Sequence, residues 1–140
     1  MAIWQQGARA ITRRMPKVID PSAHAVLDYA VAAAFLLAAA GLWKRNKRAA
    51  IGSLLCGGAT AVNAMFTDYP GGVFPAISYR THGNVDAGLA GLTASTPRLM
   101  GFADESEARL FGLSAFAETV ITGLTDYDYY EEEDGLATSD

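Results

Sequence analysis

The chain has 140 residues, enough for one core, with eleven basic residues, fifteen acidic residues and a single cysteine. Cys56 alone excludes an internal disulfide. The net charge of −4 belongs to the tail, since residues 128–140 hold six acids and no base, and the remaining eleven bases and nine acids form no basic, aromatic-bearing face of the kind nucleic acid requires.

Residues 1–21 carry Arg9, Arg13, Arg14 and Lys17, with Asp20 the only acid. The segment lacks the apolar core and small-residue cleavage site of a secretory signal. It reads as a basic interfacial segment, with an organelle transit peptide as the alternative. The first apolar run, about Ser22–Trp43, is rich in alanine and leucine, which favour helix. It shows no polar face, and twenty helical residues rise about 30 Å, the thickness of a bilayer's hydrocarbon. The second run, about Ala49–Tyr69, is similar and rich in small residues, including Gly52, Ser53, Gly57 and Gly58. A short basic turn, Lys44–Arg48, joins the two, and a Gly/Pro link, Pro70–Arg80, leads onward.

The third run, about Gly83–Gly101, and the fourth, about Glu107–Tyr127, are more polar, with Phe102–Ser106 between them. Small residues spaced by four, Ser53-Gly57-Ala61 and Ala87-Gly91, predict close helix contacts, which suit lipid and a tight soluble core alike. Residues 128–140 read as a solvated, disordered acidic tail.

An offset of 58 residues maps His24 onto His82, Asp28 onto Asp86 and Thr67-Asp68-Tyr69 onto Thr125-Asp126-Tyr127. The repeats span 22–69 and 80–127. The pattern predicts an all-α fold: a four-helix transmembrane bundle of two tandem helical hairpins related by a pseudo-two-fold axis along the bundle. A soluble four-helix bundle is the alternative, favoured by a mean hydropathy of only +0.14 but opposed by the missing polar faces of runs one and two.

His24 and Asp28, four residues apart, share a helix face near the start of the first helix, and Asp68 stands at the end of the second. Hairpin geometry gathers His24, Asp28, Asp68, His82, Asp86 and Asp126 at one end. A carboxylate at a helix C-terminus faces the negative end of the dipole, so Asp68 and Asp126 call for the histidines as donors. Three readings of this cluster stand: a structural clasp, a metal or haem site, and a proton relay. Glu118, mid-helix in the fourth run, must face the interior if the bundle lies in lipid and points outward if it is soluble.

The run Ala94–Phe102 resembles the A-S-P-W-L-x-G-F signature of the bacterial SPW-repeat membrane proteins. His82-Gly83-Asn84-Val85-Asp86 is similar to an H-G-x-x-D start in some members, and the T-D-Y helix ends at Thr67–Tyr69 and Thr125–Tyr127 also resemble the family. The resemblance covers residues 22–127. Thr96 stands as an extra residue between Ser95 and Pro97, Arg98 replaces the tryptophan, and the first half has only Gly41-Leu42-Trp43. It implies a small, four-helix, multi-pass protein of the bacterial inner membrane, and it transfers no catalytic residue.

No nucleophile–base pair, phosphate loop, C-x-x-C or H-E-x-x-H motif occurs, so the expectation is a non-enzymatic protein. It is read as a structural or accessory subunit whose partners are the lipid bilayer and a larger membrane complex, with no nucleic acid. The sequence names no cofactor. A metal- or haem-binding redox or sensor protein, and a proton- or solute-conducting protein using Glu118, are the rival functions.

Overall fold

The computed structural model describes residues 15–131 and residue 134. The expectations of an interfacial segment or transit peptide fall mostly on residues 1–14, and that of a disordered tail mostly on residues 132–140, outside the described residues apart from residue 134. Among the described residues the fold is all-helical: α1 (Pro21–Leu42), α2 (Lys47–Met65), α3 (Tyr79–Leu99) and α4 (Ala108–Leu124). The first three start on side-chain caps. Asp20 accepts from the Ser22 and Ala23 amides, Asn46 from Ala49 and Ser78 from Thr81. Gly101, at φ +73°, turns the chain after α3, a conformation only glycine adopts without strain.

α1 packs on α2 and α3 on α4, as two hairpins, and the hairpins meet mainly through α2 and α3. The α1–α4 contact is much smaller, so the two interfaces that strict two-fold symmetry would equate are unequal. The backbone at the helix ends, however, repeats closely. The amide of Asp68 donates to the Ile77 carbonyl and that of Asp126 to the Ile19 carbonyl; Ile77 donates to Phe66 and Ile19 to Leu124. Each pair of bonds is related by the 58-residue offset, with partners exchanged between halves. These bonds also occupy carbonyls that the ends of α2 and α4 leave without helical partners.

The inward stripe of each helix is small or polar. α1 turns His24, Ala25, Asp28, Ala32, Phe35 and Ala39 inward, at helical spacing. α2 contributes Ala49, Gly52, Ser53, Cys56, Thr60 and Asn63, and α3 contributes His82, Asp86, Ala90, Thr93 and Thr96. Large apolar side chains point outward: Leu37, Leu99, Leu113 and Phe116 are each more than 70 % exposed. One apolar cluster, of Phe35, Ala49, Cys56, Phe102 and Phe111, lies at the end away from the histidines, and a second, of Ala25, Ala64, Tyr69 and Tyr79, lies beside them.

One expectation about packing is corrected. Ser53 and Gly57 are buried between helices, whereas Ala87 and Gly91 lie on an exposed face of α3. Among the described residues α1 alone combines the length and the apolarity of a membrane-crossing helix. The reason is composition: α3 carries Arg80, Asp86 and Arg98, α2 opens on Lys47-Arg48, and α4 holds Arg109 and Glu118 in only 17 residues.

Candidate functional site

The i, i+4 spacing on α1 and α3 sets each histidine above its aspartate, and the two helices bring the pairs face to face. His24 Nε2 lies 3.2 Å from His82 Nε2. Asp86 Oδ2 is 3.0 Å from both nitrogens. Asp28 reaches His24 Nε2 through Oδ1 and His82 Nε2 through Oδ2, each at 3.2 Å. All four residues are buried, the histidines almost completely.

The repeated T-D-Y segments supply the surroundings. Thr125 Oγ1 is 2.8 Å from His24 Nδ1, and Thr67 Oγ1 is 2.7 Å from His82 Nδ1. Each threonine spends its single hydroxyl proton on the carbonyl four residues back, Ile121 for Thr125 and Asn63 for Thr67. The threonine oxygens therefore accept from Nδ1–H of each imidazole. That places a proton on each Nδ1 and turns each Nε2 to the centre.

Tyr69 donates to Asp28 Oδ2 and Tyr127 to Asp86 Oδ2, both at 2.8 Å. Burial first, and then the neighbouring carboxylate charge, push both phenols far above their ordinary range, so both remain donors. Asn63 Nδ2 adds a 2.8 Å bond to Asp86 Oδ1. Its counterpart at the 58-residue offset is Ile121, so Asp28 has no such donor. Tyr79 stacks near His82 and Tyr69 and covers the centre from the helix-end side. Gly83 admits the Tyr127 ring: a Cβ there would lie 2.7 Å from two ring carbons.

The structure thus brings His24, Asp28, His82 and Asp86 together and leaves Asp68 and Asp126 outside. Asp68 is exposed, and Asp126 accepts from the Asp128 amide instead. The helices end at Met65 and Leu124, earlier than the sequence suggested, and Thr67 and Thr125 beyond them pair in β-bridges with Ile77 and Ile19. In extended backbone successive side chains alternate sides, so Thr67 and Tyr69 turn inward while Asp68 turns out. The dipole argument fails for the same reason, because neither aspartate stands within its helix. The inward threonines and tyrosines were visible in the sequence as part of the repeat, but helical spacing hid their role.

Glu118 is apart from this centre. Its Oε1 accepts from Thr93 at 3.4 Å, while Oε2 is buried with no hydrogen-bond partner. It lines a cavity of about 20 Å³ together with Thr60, Asp86 and Thr122, room for about one water molecule. At the outer mouth, Arg80 pairs with Asp128 and Glu131. No protein-family model, curated protein or solved structure matches the chain.

Proposed function

We propose that the chain is a small, non-enzymatic, multi-pass membrane protein of the bacterial inner membrane. Its two tandem hairpins are related by a pseudo-two-fold axis, and it serves as a structural or accessory subunit of a larger membrane assembly. The observation that carries the reading is the inverted distribution of side chains. Small and polar residues face inward on three helices, and Leu37, Leu99, Leu113 and Phe116 face outward. In water such a surface is a large apolar patch; in lipid it is the ordinary exterior. Helix length permits four crossings, since even the 17 residues of α4 rise about 25 Å and lie at the short end of the spanning range. The SPW resemblance of Ala94–Phe102 supports the same reading. A polar centre closed over by tyrosines, rather than open to a substrate, supports a structural role over a catalytic one.

The protein is expected to remain in membranes after salt washing and to require detergent for extraction. In a Cys56→Ser background, Lys44→Cys and Phe74→Cys should react with an impermeant maleimide from opposite sides of the membrane. Reaction from the same side would end the four-crossing reading, and a monodisperse monomer in plain buffer by light scattering would end the membrane reading altogether. Purification from native membranes in mild detergent should bring an assembly partner with it. A chain that purifies alone in every mild detergent removes the accessory role.

A further inference from the structure

We propose that His24, Asp28, His82 and Asp86 form a closed binding site for one divalent transition-metal ion of the zinc class, joining the first half of the chain to the second. The argument starts from the two threonines. They accept from the Nδ1 protons, so each imidazole turns its Nε2 to the centre, where the two nitrogens lie 3.2 Å apart. Two nitrogens at that distance, flanked by two carboxylates, need positive charge among them, which a metal ion supplies when both rings are neutral. The separations fit one. A tetrahedral ion with bonds of about 2.0–2.1 Å has its ligand atoms about 3.3 Å apart. The histidine–histidine and histidine–aspartate separations here are 3.0–3.2 Å, with Asp28 meeting each histidine through a different oxygen, and one donor atom from each of the four residues lies within 4.8 Å of the others.

The identity of the donors narrows the ion. Calcium and magnesium take six or more oxygens in the main, whereas two imidazoles and two carboxylates suit zinc or its neighbours. The two carboxylate charges cancel those of a divalent ion, which leaves a buried centre of no net charge. A porphyrin does not fit, because ring nitrogens 3.2 Å apart leave no space for a macrocycle between them.

The surroundings are those of a built site. Each imidazole ligand is oriented by a threonine through its other nitrogen, and each carboxylate by a tyrosine. The four ligands, roofed by Tyr79, leave no position open to a substrate, which makes the ion a staple rather than a catalyst. One histidine and one aspartate come from each half, so the ion ties α1 to α3, as no covalent link does.

The test uses the full chain, expressed in zinc-supplemented medium and purified in detergent without chelator. Elemental analysis should find about one zinc per chain. His24→Gln or His82→Gln should lower the bound metal at least tenfold, while Asp68→Asn and Asp126→Asn should retain it. Thr67→Val and Thr125→Val keep all four ligands and remove only the orienting acceptor. Each should weaken zinc affinity by about 10–100-fold, an effect that remains readable if the histidine variants do not fold. Cobalt-loaded protein should show the intense visible bands of a four-coordinate ion. Folded wild-type protein that carries less than about a tenth of an equivalent and takes up neither zinc nor cobalt overturns the proposal. Two protons then hold the centre as imidazolium–aspartate pairs. Metal content and detergent dependence are separate readouts, so a zinc-bearing monomer in plain buffer would sink the membrane reading and leave the site standing.

Discussion

Asp86→Ala is expected to lower stability in detergent by about 3–5 kcal/mol, against less than about 0.5 kcal/mol for Asp68→Ala or Asp126→Ala. Asp86 is the most heavily bonded side chain of the centre. Its Oδ2 meets His24, His82 and Tyr127, and its Oδ1 accepts from Asn63. Truncation leaves Tyr127 and Asn63 short of an acceptor and removes the carboxylate that both imidazoles face. Asp28 lacks the Asn63-type donor, so Asp28→Ala should fall between the two extremes. Thermal or denaturant unfolding in matched detergent checks the order Asp86, Asp28, then the outer pair. A loss on Asp68→Ala as large as that on Asp86→Ala would mean that the T-D-Y aspartate, and not its neighbours, holds the helix ends.

The ordering follows from the part of the site that was hardest to see in the sequence. The helices, the hairpins and the pairing of His24 with His82 follow from apolar runs and a constant offset, because helical spacing and duplication act over many residues. The H-x3-D pair is legible for the same reason: four residues on a helix always share a face. The T-D-Y triplet is different. Three residues at a helix end are read as helix or as strand according to where the helix stops, and a shift of a few residues reverses which side chain turns inward. Backbone bonds from Ile19 and Ile77, distant in sequence, fix that register, so local pattern alone points to the aspartate rather than to the threonine and tyrosine. The outward apolar faces were also hidden. In the sequence α1 looks featureless because its inner stripe is alanine with His24, Asp28 and Phe35, and alanine is neither polar nor large.

Gly83→Ala is the other large effect, and its sign should depend on Tyr127. In an exposed helix interior the change stabilises by about 0.5–1 kcal/mol, because glycine has the greater freedom to lose. Here the new Cβ would lie 2.7–2.8 Å from three carbons of the Tyr127 ring. The ring is held on its other sides by Tyr79 and His24, with centroids at 5.0 and 5.3 Å, so it cannot yield without repacking. Moving it also breaks the bond from its hydroxyl to Asp86. Overpacking costs about 1–3 kcal/mol and a hydrogen bond to a charged group contributes about 1.5–3, so a net loss near 3 kcal/mol is expected. The corresponding residue of the first half, Ala25, already has a Cβ, and there the close approach is borne by Gly71, whose own Cβ would lie 2.6 Å from that of Ala25. Each half therefore accommodates its tyrosine with a glycine, but at a different place. In a Tyr127→Ala background the obstacle is gone, and Gly83→Ala should become neutral or stabilising. A double-mutant cycle measures the reversal. Gly83→Ala that stabilises the otherwise unchanged protein would show that the Tyr127 ring does not lie over α3, and with it would go the Tyr127–Asp86 bond that closes the second half of the centre.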